Sequence, residues 1–116
     1  MIELCMNGNI LTNNQILKVT TMKTIYKYSI SITESQIVNM PIGSNIISLQ
    51  MQNGIATMWA IVDTTESLTP VKIRIFGTGE EIPAGSVLRH IGSIQEKGYV
   101  WHIFIDDTIC LNPIVS

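Results

Sequence analysis

The chain has 116 residues, 46% of them apolar and only 14% charged, with a formal net charge of −2. One core suffices for this length, and the charged fraction falls well short of the usual value of about 25%. The basic residues are scattered rather than gathered into the stripe that a phosphate backbone requires, and no run approaches the roughly 18 apolar residues of a membrane span, so neither nucleic-acid binding nor membrane insertion is expected. So low a charge density points instead to an exposed surface covered by a partner or by a second copy, as in a homo-oligomer. Cys5 and Cys110 are the only cysteines, and the start has neither the positive nor the apolar segment of a signal peptide. The expectation is a cytosolic protein with two reduced thiols.

Residues 1–22 are read as an N-terminal extension. Ile16 to Val19 could supply an edge strand, or the whole segment could precede an alternative start at Met22. Residues 23–116 are read as one β-rich domain. Thr24 to Ile32 alternate, with Tyr26, Tyr28, Ile30 and Ile32 on one side, as in a half-buried strand. A short strand at Ile37 and Val38 ends at Met40-Pro41-Ile42-Gly43, where proline removes a donor and glycine favours a turn. Thr33 to Asn39 is the only window for a helix, and its β-branched residues favour a strand or turn.

Ile46 to Gln52 predicts a third strand with Ile47, Leu49 and Met51 inward and Ser48, Gln50 and Gln52 outward. Asn53-Gly54 then returns the chain through Ile55 to Val62, since both central positions of a type I′ turn need positive φ. Asp63 to Ser67 reads as a loop and Val71 to Phe76 as the fifth strand. Leu88 to Ile94 and Tyr99 to Ile105 predict a second hairpin across Gln95 to Gly98, and Ile109 to Leu111 a last edge strand. About seven short strands with little or no helix predict an all-β, mainly antiparallel fold, a compact sandwich or small barrel.

Few residues suggest chemistry. Gly77-Thr78-Gly79-Glu80-Glu81 is glycine-rich and follows a strand, but Pro83 and Gly85 prevent the helix that a phosphate loop opens into, and two carboxylates would repel the anion. His90 and His102 are expected as diagonal neighbours on one face, with His90 opposite Phe104 and Gly92 opposite His102. No third ligand is evident, so no metal and no cofactor is expected. No nucleophile elbow or Cys-His pair is present, so no catalytic residues are assigned. Trp59 and Trp101 read as core anchors, although either could instead serve binding. Arg74, on the polar face of a strand, is the natural contact for an anion or carboxylate.

The ordered run of Met40-Pro41-x-Gly43, Gln50-x-Gln52-Asn53-Gly54, Trp59-Ala60-x-Val62-Asp63, Arg74-x-Phe76-Gly77-Thr78-Gly79, His90-Ile91-Gly92 and Val100-Trp101-His102-Ile103-Phe104 resembles a family of small bacteriophage and prophage proteins classed as a domain of unknown function. It covers about Lys23 to Ile105. The resemblance implies a phage origin and a location in the bacterial host cytoplasm, and it implies no activity. Three functions fit the residues: an accessory protein that binds a host protein and acts against a defence system, a protein that sequesters a nucleotide signal, or a minor virion component. The candidate binding residues are Gln50, Gln52, Trp59, Arg74, His90 and His102.

Overall fold

A computed structural model describes residues 22–109. The possible strand at Ile16 to Val19 and both cysteines lie outside the described residues. Among the described residues seven strands form: β1 (Lys23–Ile30), β2 (Ser35–Pro41), β3 (Asn45–Gln52), β4 (Ile55–Asp63), β5 (Leu68–Gly77), β6 (Leu88–Glu96) and β7 (Tyr99–Asp106). They build a three-stranded sheet in the order β1-β4-β3 and a four-stranded sheet in the order β2-β5-β7-β6, with every pairing antiparallel. The expected all-β sandwich is what forms, with no helix among the described residues. The Thr33 to Asn39 window enters β2, and Gln36 secures the preceding bend by donating to the Ser31 carbonyl and accepting from its amide.

The core lies between the sheets. From β4 it takes Ala56, Met58, Ala60 and Val62, and from the facing sheet Ile73, Ile75, Ile94, Ile103 and Ile105. Each is one member of an alternating pair along its strand, because successive side chains of a strand point to opposite faces. Fully burying a side chain such as Met58 or Ile103 contributes about 1.5–3 kcal/mol.

Both tight hairpins use two residues of positive φ. Asn53 and Gly54 have φ of 52° and 79°, as expected for a type I′ turn, and Lys97 and Gly98 have 53° and 84°. The second turn is shorter than predicted. Lys97-Gly98 alone makes it, so Glu96 pairs with Tyr99 and Ile94 with Trp101.

Bulges change the faces of β3 and β6. In β3 one extra residue between Ile46 and Ser48 turns Ile46 and Leu49 to the core and leaves Ile47 exposed, which corrects its expected inward position. A bulge places two residues against one on the partner strand and so breaks the period of two. In β6 the shift between His90 and Gly92 makes Ile91 the extra residue and sets Ser93, not Gly92, opposite His102.

These two strands are where the sheets meet most closely. A Cβ on Gly92 would stand 2.9 Å from Leu49 Cδ2 and 3.3 Å from Leu49 Cβ, so glycine is the residue that permits this approach.

Other boundaries differ modestly. β1 ends at Ile30, and Tyr26 is exposed although it shares the inward parity, because the first half of β1 lies beyond the packed core. β5 starts at Leu68 and includes Pro70, which pairs with Asn39 of β2. β7 reaches β5 only from Ile73 onward, so the donor missing at Pro70 leaves no bond unmade on that side. Ile109 is not in a strand, and the rest of that predicted strand lies outside the described residues.

Candidate functional site

The six candidate residues separate into two groups on opposite outer faces of the sandwich. Gln50, Gln52 and Trp59 lie on the three-stranded sheet, whereas Arg74, His90 and His102 lie on the four-stranded sheet. A small ligand held by Arg74, the histidines and Trp59 together is therefore not possible, and Trp101 is on the inner side of its sheet, opposite Gly77 and Ile94.

On the three-stranded sheet, Trp59 is at the centre, between Lys27 of β1 and Ser48 of β3. It is half-buried and points away from the core, which corrects its assignment as a core anchor. Its strand mates of the same parity are Ile55, Thr57 and Ile61. Ile55 is 51% exposed, as is Ile25 at 55% on β1 beside Ile61.

The polar groups of this face bond mainly to one another. Lys27 Nζ donates to Gln52 Oε1 at 3.0 Å, and Gln50 Nε2 donates to Ser48 Oγ at 3.2 Å. The exposed isoleucines were missed among the candidates. Their signal is in β4 itself, where Ile55, Trp59 and Ile61 are bulky on one parity while Ala56 and Ala60 are small on the other. A strand covered on one side only is expected to alternate apolar with polar.

The face of the four-stranded sheet is more polar and more self-satisfied. The Arg74 guanidinium sits 4.9 Å from the centre of the Phe76 ring, and its Nε donates to the Glu34 carbonyl at 3.2 Å. Its Nη1 is 3.6 Å from Asp106 Oδ2, which also faces Lys72 Nζ at 3.8 Å.

A hydrogen-bonded chain runs beside this group. Thr78 Oγ1 is 2.8 Å from His102 Nε2, His102 Nδ1 is 2.9 Å from Ser93 Oγ, and Ser93 Oγ is 3.3 Å from His90 Nε2. The histidines thus share a face as expected, and they meet through Ser93. No group of three or more metal-binding side chains occurs among the described residues. Ser93 thus bridges the two imidazoles on the exposed outer face of the sheet. The glycine-rich loop closes on itself, with Glu80 Oε1 accepting from the Gly77 amide at 2.7 Å.

Asp106 ties this face together. Its side chain is almost fully buried, and its Oδ1 accepts from the Thr108 amide at 2.9 Å. Hydrogen bonding by the Thr108 side chain holds the Asp106 carboxyl below the usual carboxylate range. The Thr108 amide, Lys72 and Arg74 reinforce this, and burial opposes it. A carboxylate whose folded pKa is depressed contributes stability that is present above its unfolded pKa and lost as pH falls through the folded value. Stability is therefore expected to decline below about pH 4. Asp106→Asn should flatten part of that decline in urea unfolding measured from pH 3 to 7, and an identical pH slope in parent and variant would refute the assignment.

No curated protein and no solved structure matches the chain. A protein-family match spans residues 22–108, which takes in all seven strands and both outer faces, and by it the chain belongs to the family described as a domain of unknown function, DUF7352.

Proposed function

We propose that this chain is a non-enzymatic binding domain that engages a host protein through the outer face of its three-stranded sheet. The observation that carries the reading is β4, which sets Ile55, Trp59 and Ile61 on the parity that the facing sheet leaves uncovered. Trp59 is the expected anchor. Tryptophan is enriched among the residues that dominate binding energy, and a ring of weaker contacts excludes water around such an anchor. Gln50 and Gln52 add uncharged hydrogen-bonding groups at its rim. The phage or prophage origin suggested by the family resemblance makes a bacterial protein, for example a component of a defence system, the natural partner in the host cytoplasm.

A photo-crosslinking side chain placed at Gln50 of the full chain, expressed in bacteria, should capture a reproducible protein other than a second copy. Trp59→Ala should weaken capture by roughly thirtyfold, about 2 kcal/mol, while Arg74→Ala leaves it largely unchanged. No reproducible partner, or capture indifferent to Trp59, would sink the proposal.

Sequestration of a nucleotide signal has less support. It would need Arg74, whose guanidinium is already held by Glu34, Asp106 and Phe76. A nucleotide at 100 times its dissociation constant should add about 2.7 kcal/mol of stability, and a thermal-shift panel would reveal it. A structural role in the particle would show as the protein's presence in purified virions.

A further inference from the structure

We infer that the edge of β1 away from β4 receives an extended segment of the partner as an added antiparallel strand, with acidic side chains opposite Lys23 and Lys27 and an apolar one opposite Ile25. This rests on the protein-binding reading above and names the element by which the partner makes contact.

β1 pairs with β4 along all eight of its residues, and among the described residues no strand pairs with its other edge. Such an edge presents a row of unpaired backbone donors and acceptors, and an added peptide strand is a recurring way of satisfying it. Lys23 to Lys27 are all exposed, so side chains on both faces of this half of the strand, Ile25 and Tyr26 among them, are available to a neighbour. The edge also adjoins a shallow depression of about 450 Å³ lined by Lys23, Thr24, Ile25 and Ile61, the last of which shares its strand parity with Trp59.

The charge pattern selects the occupant. Lys23, Ile25 and Lys27 follow one another on the outer face, so two lysines bracket an apolar side chain. Lys23 stands opposite Asp63 of β4 and Lys27 bonds Gln52, both contacts at the sheet surface for which an acidic side chain on an added strand would compete. Opposite charges directly across a strand pair attract, whereas like charges repel. A second copy of β1 paired symmetrically about Ile25 would set each Lys23 against Lys27 of the other copy, which disfavours self-pairing in that register. Of the other edge strands of the two sheets, β2 and β3 carry no charge and β6 carries both Arg89 and Glu96, so none repeats this pattern of two lysines about an apolar residue.

Two fluorescent peptides test the inference on the full chain: one reading Thr-Glu-Val-Ile-Thr-Glu-Val, and one with both glutamates replaced by lysine. The glutamate peptide should bind with micromolar affinity, weaken with added salt, and slow hydrogen exchange of the edge-facing β1 amides, which exchange quickly in the free chain. Lys23→Glu combined with Lys27→Glu should weaken it by about tenfold and reverse the preference between peptides. Equal binding of both peptides, no binding of the glutamate peptide, or β1 amides already protected in the free chain would overturn it. In the last case, protection that grows with protein concentration identifies a second copy and protection that does not identifies the chain itself. Capture dependent on Trp59 would survive any of these results, so the edge can fail while the face stands.

Discussion

Ile103→Ala is expected to lower the unfolding free energy by about 2–5 kcal/mol, a large share of the roughly 5–15 kcal/mol that holds a small domain folded. Ile103 has no exposed surface, sits in β7 between Ile75 of β5 and Gly92 of β6, and points into the space between the sheets. Truncation removes three carbons from a site whose neighbours are fixed by ladders on both sides, so the cavity cannot readily collapse. Urea unfolding followed by tryptophan fluorescence measures the loss. Ile25→Ala is the control, expected within about 0.5 kcal/mol because Ile25 is mostly exposed. A cost below about 1 kcal/mol for Ile103→Ala, with an unchanged denaturant slope, would mean that β7 is not central to the core.

Gly92→Ala should cost about 1–3 kcal/mol through overpacking. The added methyl would meet Leu49 at two atoms, and Leu49 is partly buried and packed on the core, so it cannot simply swing away. Pairing the change with Leu49→Ala separates the contributions. If the contact between sheets dominates, the double variant should be more stable than the sum of the single losses by about 1 kcal/mol. Gly92 also has a φ of 158°, near the limit of comfortable extended backbone, and that part of the cost remains in the double variant. Strict additivity would remove the close approach of β3 and β6 as the reason for glycine.

Much of this fold was legible in the sequence because its signals are local. Asn53-Gly54 specified a two-residue turn, and the alternation in β3, β5 and β7 revealed strands, since period-two burial appears in the residue order itself. What escaped depends on contacts between distant residues. One inserted residue at Ile47 reverses parity, and nothing near it in sequence marks a bulge. Pairing β1 with β4 and β2 with β5 requires knowing which strands share a sheet, and no strand's composition says so. The site suffered most from this. The two histidines share a face as counting along the β6–β7 hairpin implies, although the bulge alters the register, and Arg74 joins that face only because β5 pairs with β7. Trp59 was joined to them only because the assignment of strands to layers could not be read. The isoleucines beside it are visible in the sequence, but nothing there says which face of the strand the other sheet leaves uncovered.

The connectivity also sets the order in which the molecule can assemble. β3–β4 and β6–β7 are joined by two-residue turns and can close early, whereas Lys23 must find Asp63 and Ser35 must find Arg74, about forty positions along the chain. Long closures of this kind are slow to form. On the ribosome, β1 and β2 therefore emerge before β4 and β5, the described strands with which they pair. Among the described strands, β1 has a long wait for its partner, and charged side chains such as its two lysines are a common means of discouraging association of an unpaired edge with other nascent chains.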